Sequence, residues 1–284
     1  MQTILGAGGV IGNELAKSLL DYTNDIRLVS RNPVKVNDTD KIFRADITDF
    51  EQTAEAVSGS EVVYLTAGLP YNKRIWASKW PVIMENTIKA CKMHHSKLVF
   101  FDNIYLYDGT DLSDISENLP INPPSKKGKI RAQIAKMLMD EVEKGNIQAA
   151  IARAADFYGL GANSILMETV IKKMASGKVA NWLGKLDCKH SFTYTPDAGK
   201  ATAMIGNNEK AFGAIWHLPT AADPPTGRQW VNMIASEFNV KPKVQVAGKG
   251  MVRLLGLFMP IMREMTEMMY QYDRDYVFNS SKFE

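Results

Sequence analysis

Cysteine is nearly absent from this chain: Cys91 and Cys188, far apart and outside any C-x-x-C spacing, are the only two among 284 residues. That count excludes a disulfide framework and fits a reducing compartment. Histidine is also sparse, and His94, His95, His190 and His217 show no metal-ligand spacing, so no metal is expected. A charge excess is lacking as well. The 34 basic and 31 acidic residues leave a formal +3, and no basic cluster interleaved with aromatics marks a nucleic-acid partner. No apolar run approaches the roughly 20 residues of a bilayer span. Met251 to Met262 comes nearest, is broken by Arg253 and Pro260, and is expected as a Met-rich helix face packed in a small domain or over a pocket. The first strand begins within a few residues of Met1, so no targeting segment is expected and the setting inferred is soluble and cytoplasmic, without a membrane partner.

Glycine, by contrast, is concentrated where it has chemical meaning. The apolar pair Ile4-Leu5 runs into Gly6-Ala7-Gly8-Gly9-Val10-Ile11-Gly12, followed by Leu15 and Leu19 at helical spacing. Strand, tight turn and helix start in that order form a seat for a pyrophosphate. Side chains at glycines 6, 9 and 12 would block the turn, the backbone's approach to phosphate or the packing of helix on strand, while free N–H groups and the helix dipole attract the anion. The next strand, Ile26 to Ser30, ends at Arg31. An acidic residue there would bind a ribose 2′-hydroxyl; Ser30 and Arg31 instead offer a hydroxyl and a cation to a 2′-phosphate, which predicts NADP(H) over NAD(H).

Short apolar strands continue to alternate with helical stretches, which predicts an α/β fold with a doubly wound parallel Rossmann-type sheet. Strands are expected near 42–43, 62–66, 98–101, 148–152 and 214–218, with 191–194 also returning to the sheet. Helices are expected over 50–58 with Thr48 as cap, from Pro81 onward, over 127–144, over 165–176 and from Pro196, with Thr226 capping a later one. The expected division assigns 1–155 and 190–220 to a dinucleotide-binding domain, and 156–189 and 221–284 to a smaller C-terminal substrate domain. No internal repeat or low-complexity tract interrupts this pattern.

Together these residues resemble the extended short-chain dehydrogenase/reductase superfamily, of the NAD(P)-dependent epimerase/dehydratase type. Beyond the glycine turn and Arg31, the resemblance rests on Asp46-Ile47, Leu65-Thr66-Ala67-Gly68, Asn86, Arg153 to Gly159 and His190 to Asp197. It implies that Asp46 and Ile47 touch adenine and that Thr66, Ala67 and Gly68 lie under the nicotinamide ribose. Asn86 and Phe157, with Val10 and Ile11 of the turn, would complete the cofactor site. Similar proteins continue past the last residue here, so part of the C-terminal annex is expected to be missing.

The resemblance fails at the reacting groups. The superfamily's Tyr-x-x-x-Lys pair, in which lysine holds the ribose and lowers the phenol's pKa, is replaced by Ser125-Lys126-Lys127-Gly128-Lys129, and no tyrosine in the chain has lysine four residues on. Lys129 is the expected ribose ligand. Lys127 is its rival, because Lys127 and Arg131 repeat the lysine-arginine spacing of the ether and isoflavone reductases, where that lysine is the acid or base. Asp102 or Asn103 occupies the usual serine position after the fourth parallel strand, and Tyr107 is a further candidate near substrate. Arg153, Asp156, Tyr158 and Tyr194 are expected to contact it. The function inferred is an NADP(H)-dependent oxidoreductase or epimerase-like enzyme acting on a small molecule, with a homodimer allowed. The alternative is an NADP(H)-binding redox sensor or scaffold without turnover.

Overall fold

All 284 residues are described by the computed structural model. In chain order the strands are β1 (Gln2–Leu5), β2 (Ile26–Ser30), β3 (Lys41–Arg44), β4 (Val62–Leu65), β5 (Lys97–Asn103), β6 (Ala149–Ala154), β7 (Asp156–Tyr158), β8 (Ala180–Leu183), β9 (Phe192–Tyr194), β10 (Ile215–His217) and β11 (Val244–Ala247). The helices are α1 (Val10–Leu19), α2 (Phe50–Val57), α3 (Lys73–His94), α4 (Lys126–Glu143), α5 (Lys172–Ala175), α6 (Thr195–Gly206), α7 (Gly227–Glu237), α8 (Lys249–Leu255) and α9 (Pro260–Met265). Seven strands form one sheet in the order β10-β6-β5-β4-β1-β2-β3, and every pairing in it is parallel.

A parallel sheet needs cover on both faces, and its inner strands are accordingly buried throughout. Side-chain alternation divides them: Leu5, Val63 and Leu65 join the core under α2, α3 and α4, while Ile4, Val62 and Tyr64 join the core under α1 and α6. The strand order reverses between β1 and β4, and this opens a crevice beyond their carboxyl ends where open α/β sheets bind ligands.

Outside the sheet, β8 pairs with β11 and β7 with β9. A separate apolar cluster around Trp182, Phe192, Val231 and Ile234 packs these strands with α7. The chain's last residues return to the main body, where Phe278 bridges to Ile115 and Tyr276 to His190.

Several local expectations are corrected. Residues 191–194 do not rejoin the main sheet, because β9 finds its partner in β7. Asp49 rather than Thr48 caps α2, its carboxylate accepting from Gln52 N, while Thr48 Oγ1 is turned back to donate to Asp46 Oδ1. Pro81 sits inside α3 instead of opening it; the helix starts at the Asn72 cap and passes through the proline, which removes only one backbone donor. Residues 166–171 form a π-helical turn before α5. The Met251 to Met262 segment is packed on one side only, where Val252 and Met262 join a cluster with Met265, Met268 and Met269. It folds as the α8–α9 hairpin, whose Leu257 and Phe258 are 73% and 81% exposed.

Candidate functional site: the cleft at the sheet's reversal

The turn after β1 is shaped by two glycines with positive φ, Gly6 at 92° and Gly8 at 96°. At Gly6 a Cβ would also lie 2.3 Å from the Ala67 Cα, so only glycine lets the β1 and β4 loops approach this closely. Gly12 is tight too, since a Cβ there would meet the Ala7 Cα and Thr66 Oγ1 at 3.3 Å. Thr66 fastens the two strands through its N–H to the Leu5 carbonyl at 2.9 Å. The α1 ladder starts with Asn13 N to Gly9 O, leaving the N–H groups of Val10, Ile11 and Gly12 without helical partners at the positive end of the helix.

Above this turn lies a cleft of about 340 Å³, lined among others by Gly6, Gly9, Ser30, Arg31, Asp46, Ile47, Ala67 and Gly68. Chain segments from four strand ends thus converge on one crevice. Hydrogen bonds from the Thr48 backbone and side chain hold the Asp46 carboxyl below its ordinary range. Asn86 lies beneath the lining, where its amide donates to the Ile47 carbonyl at 3.3 Å and fixes that loop. Lys79 on α3 also lines the cleft, and neither it nor Arg31 is engaged in an ion pair. Sequence reasoning missed Lys79, although its position two helical turns before Asn86 puts it on the same face.

The cradle fits a dinucleotide. A Cβ-free approach at Gly6 and open donors at the head of α1 match a pyrophosphate, and two cations in no ion pair, Arg31 and Lys79, line the same cleft.

At the start of α4 the lysines separate. Lys129 is exposed on α4 with no ion-pair or hydrogen-bond partner, whereas Lys127 is fully buried. Lys127 Nζ lies 2.8 Å from Glu264 Oε2 and 2.6 Å from Glu267 Oε1, donates to the Glu264 carbonyl at 2.9 Å, and sits 4.6 Å from the centre of the Tyr71 ring. Burial works to raise the Glu264 pKa, but the Lys127 hydrogen bond, the Lys73 amide and both lysine charges outweigh it and leave the carboxyl lowered. Ser125, at the position of the missing tyrosine, is the N-cap of α4, accepting from Gly128 N at 2.9 Å. Asn103 turns its side-chain oxygen to the Tyr105 N–H at 3.1 Å. Tyr105 stacks on Trp76 with ring centres 6.2 Å apart, and burial raises the pKa of both Tyr71 and Tyr105.

Two candidates for substrate contact lie inside the protein instead. Arg153, fully buried, donates to Asp102 Oδ2 through Nε at 3.2 Å and Nη2 at 3.1 Å, and to the Tyr107 hydroxyl at 2.6 Å. Tyr107 Oη pairs in turn with His217 Nε2 at 2.7 Å. Arg131 closes the network on Asp102 from α4, its guanidinium 4.5 Å from the Trp80 ring centre. Arg153 is therefore an internal ion-pair partner rather than a ligand anchor, and Tyr107 has its hydroxyl satisfied away from the crevice; a buried guanidinium needs such neighbours.

Asp156 Oδ2 accepts from Tyr272 Oη at 2.8 Å and lies 3.1 Å from His190 Nε2. Tyr158 and Tyr194 lie with ring centres 5.1 Å apart, tilted by 35°, with Tyr194 40% exposed, and Phe157 packs on Phe101 at 5.9 Å. The loop after β7 passes over the glycine turn: a Cβ on Gly161 would stand 3.5 Å from Val10 Cγ2.

A family model described as the NAD dependent epimerase/dehydratase family matches residues 3–216. No curated protein matches the sequence significantly. Among solved structures, the Thermus thermophilus UDP-glucose 4-epimerase in complex with NAD superposes with a TM-score of 0.73 at 18% identity, over 87% of this chain and 86% of its own. The Streptomyces venezuelae dTDP-glucose 4,6-dehydratase DesIV, as a double mutant with NAD bound, gives 0.77 at 14% identity, over 100% and 89%. The Bacillus cereus UDP-N-acetylglucosamine 4-epimerase gives 0.75 at 16% identity, over 87% and 84%.

Proposed function

Because this chain belongs to the NAD-dependent epimerase/dehydratase family, we propose that it binds NADP(H) in the cleft at the sheet's reversal and acts as an oxidoreductase or epimerase-like enzyme on a small molecule. One observation carries the reading: residues from four separate strand ends line a single crevice over the glycine turn, with Arg31 and Lys79 in its lining and in no ion pair. In this reading glycines 6, 9 and 12 and the N–H groups of Val10 and Ile11 take the pyrophosphate. Arg31, Lys79 and Ser30 take the 2′-phosphate, where a guanidinium and an ammonium both suit a dianion. Asp46 and Ile47 border the adenine, and Thr66, Ala67 and Gly68 border the second ribose.

The bound nicotinamide would supply hydride transfer. The chain's own part is to place the reacting carbon and to handle a proton. Lys129 is the group assigned to that proton, since it is exposed on α4 and in no ion pair, whereas the fully buried Lys127 spends its three N–H groups on Glu264 Oε2, Glu267 Oε1 and the Glu264 carbonyl and serves as an internal ion-pair partner. Asp156, Tyr158 and Tyr194 are assigned to substrate; the annex formed by 156–189 and 221–284 would enclose it.

The test follows the absorbance of protein-bound NADPH against a panel of aldehydes, ketones and enones. Oxidation by any member establishes the reductase and its carbonyl class. Tight binding without oxidation favours the sensor reading, which the N-cap role of Ser125 in place of a tyrosine supports.

A further inference from the structure

The α8–α9 hairpin presents apolar side chains at its tip to solvent: Leu254 is 60% exposed, Leu257 73%, Phe258 81% and Ile261 45%. No other stretch of the chain exposes large apolar residues at this density, and scattered exposure elsewhere gives no patch. The charge along this stretch of sequence, up to the buried Glu264, is equally one-sided. From Val240 to Arg263 the sequence holds Lys241, Lys243, Lys249, Arg253 and Arg263 and not one acidic residue, five cations in a chain whose net charge is +3. All five are exposed and none is in an ion pair.

We infer that this hairpin docks the protein on the anionic surface of a lipid bilayer, its apolar tip entering the acyl boundary and its cations meeting the headgroups. The charge decides between occupants. A second copy joined through the same face would set five cations against five, whereas an anionic leaflet satisfies both the apolar tip and its basic surround. The attachment is interfacial, since no helix of the chain is long and apolar enough to cross a membrane. α9 continues into the turn that carries Glu267 to Lys127, so the hairpin is tied to the start of α4 through a buried ion pair. The inference does not depend on the cofactor or on turnover.

The experiment is co-sedimentation of the full chain with vesicles of phosphatidylcholine, alone or mixed with phosphatidylserine. Binding is expected to the mixed vesicles, to fall with added salt, and to drop about five-fold in Arg253→Gln and roughly ten-fold or more in Leu257→Ser/Phe258→Ser. Both latter side chains are largely in solvent, so the melting temperature of that variant should match the parent. Absence of sedimentation with mixed vesicles at low salt would overturn the inference. So would a dimer in velocity sedimentation that Leu257→Ser/Phe258→Ser dissociates, because the face would then belong to a second copy.

Discussion

His217 holds an uncharged ring inside the molecule. Burial and then the Arg153 guanidinium push it down to about 3. Its Nδ1–H donates to the Asn279 carbonyl at 3.0 Å and Nε2 receives the Tyr107 hydroxyl, which fixes the tautomer. A histidine that cannot protonate when folded stabilises the protein above its unfolded pKa and loses that contribution as pH falls from 6.5 toward 3, because the unfolded chain takes up the proton. Urea unfolding between pH 7 and 5 should therefore show stability falling by about 2 kcal/mol. A flat profile across that window would contradict the neutral buried ring. At this scale the sequence marks Asp102 and Arg153 as unusual residues but not their partners. Tyr107, His217 and Arg131 reach them from three other elements, and nothing in local spacing announces a contact between residues 107 and 217.

On the elements, α4 shows why spacing alone misleads. The family's register singles out Lys129 and the lysine-arginine spacing Lys127, which stands two positions earlier, about 200° around the helix. The apolar positions Ile130, Ile134 and Leu138 turn Lys127 and Arg131 inward and Lys129 outward. Lys129→Met should lower turnover by roughly a hundred-fold while leaving the melting temperature close to the parent's, and Lys127→Met, which strands Glu264 and Glu267, should lower the melting temperature. Steady-state turnover in Lys129→Met close to the parent's would contradict the assignment. Strand-turn-helix units were legible because short continuous apolar runs and glycine punctuation are local signals. The glycine turn, β4 and the bounds of α4 follow from them closely. What remained hidden was set by tertiary context: Asp49 outcompeting Thr48 for the α2 cap, Pro81 absorbed within α3, β9 drawn to β7, and Glu264 and Glu267 brought to Lys127 from well over a hundred residues away.

At the scale of the whole molecule, the reversal of strand order converts separate sequence motifs into one crevice. Ser30-Arg31, Asp46-Ile47 and Ala67-Gly68 lie far apart in the chain, and adjacent parallel strands deliver all of them to the same edge. Lys79 joins them from α3, adding a second cation that strengthens the assignment of a 2′-phosphate. Calorimetric titration of NADPH and NADH into the protein and into Arg31→Asp tests this most directly. The account predicts that NADPH binds the parent at least about ten-fold tighter than NADH and that Arg31→Asp removes the preference, a charge-assisted contact being worth roughly 1.5–3 kcal/mol. Equal affinities in the parent, or a preference that survives in Arg31→Asp, would contradict the assignment, and no binding of either nucleotide would contradict the reading of the glycine turn itself.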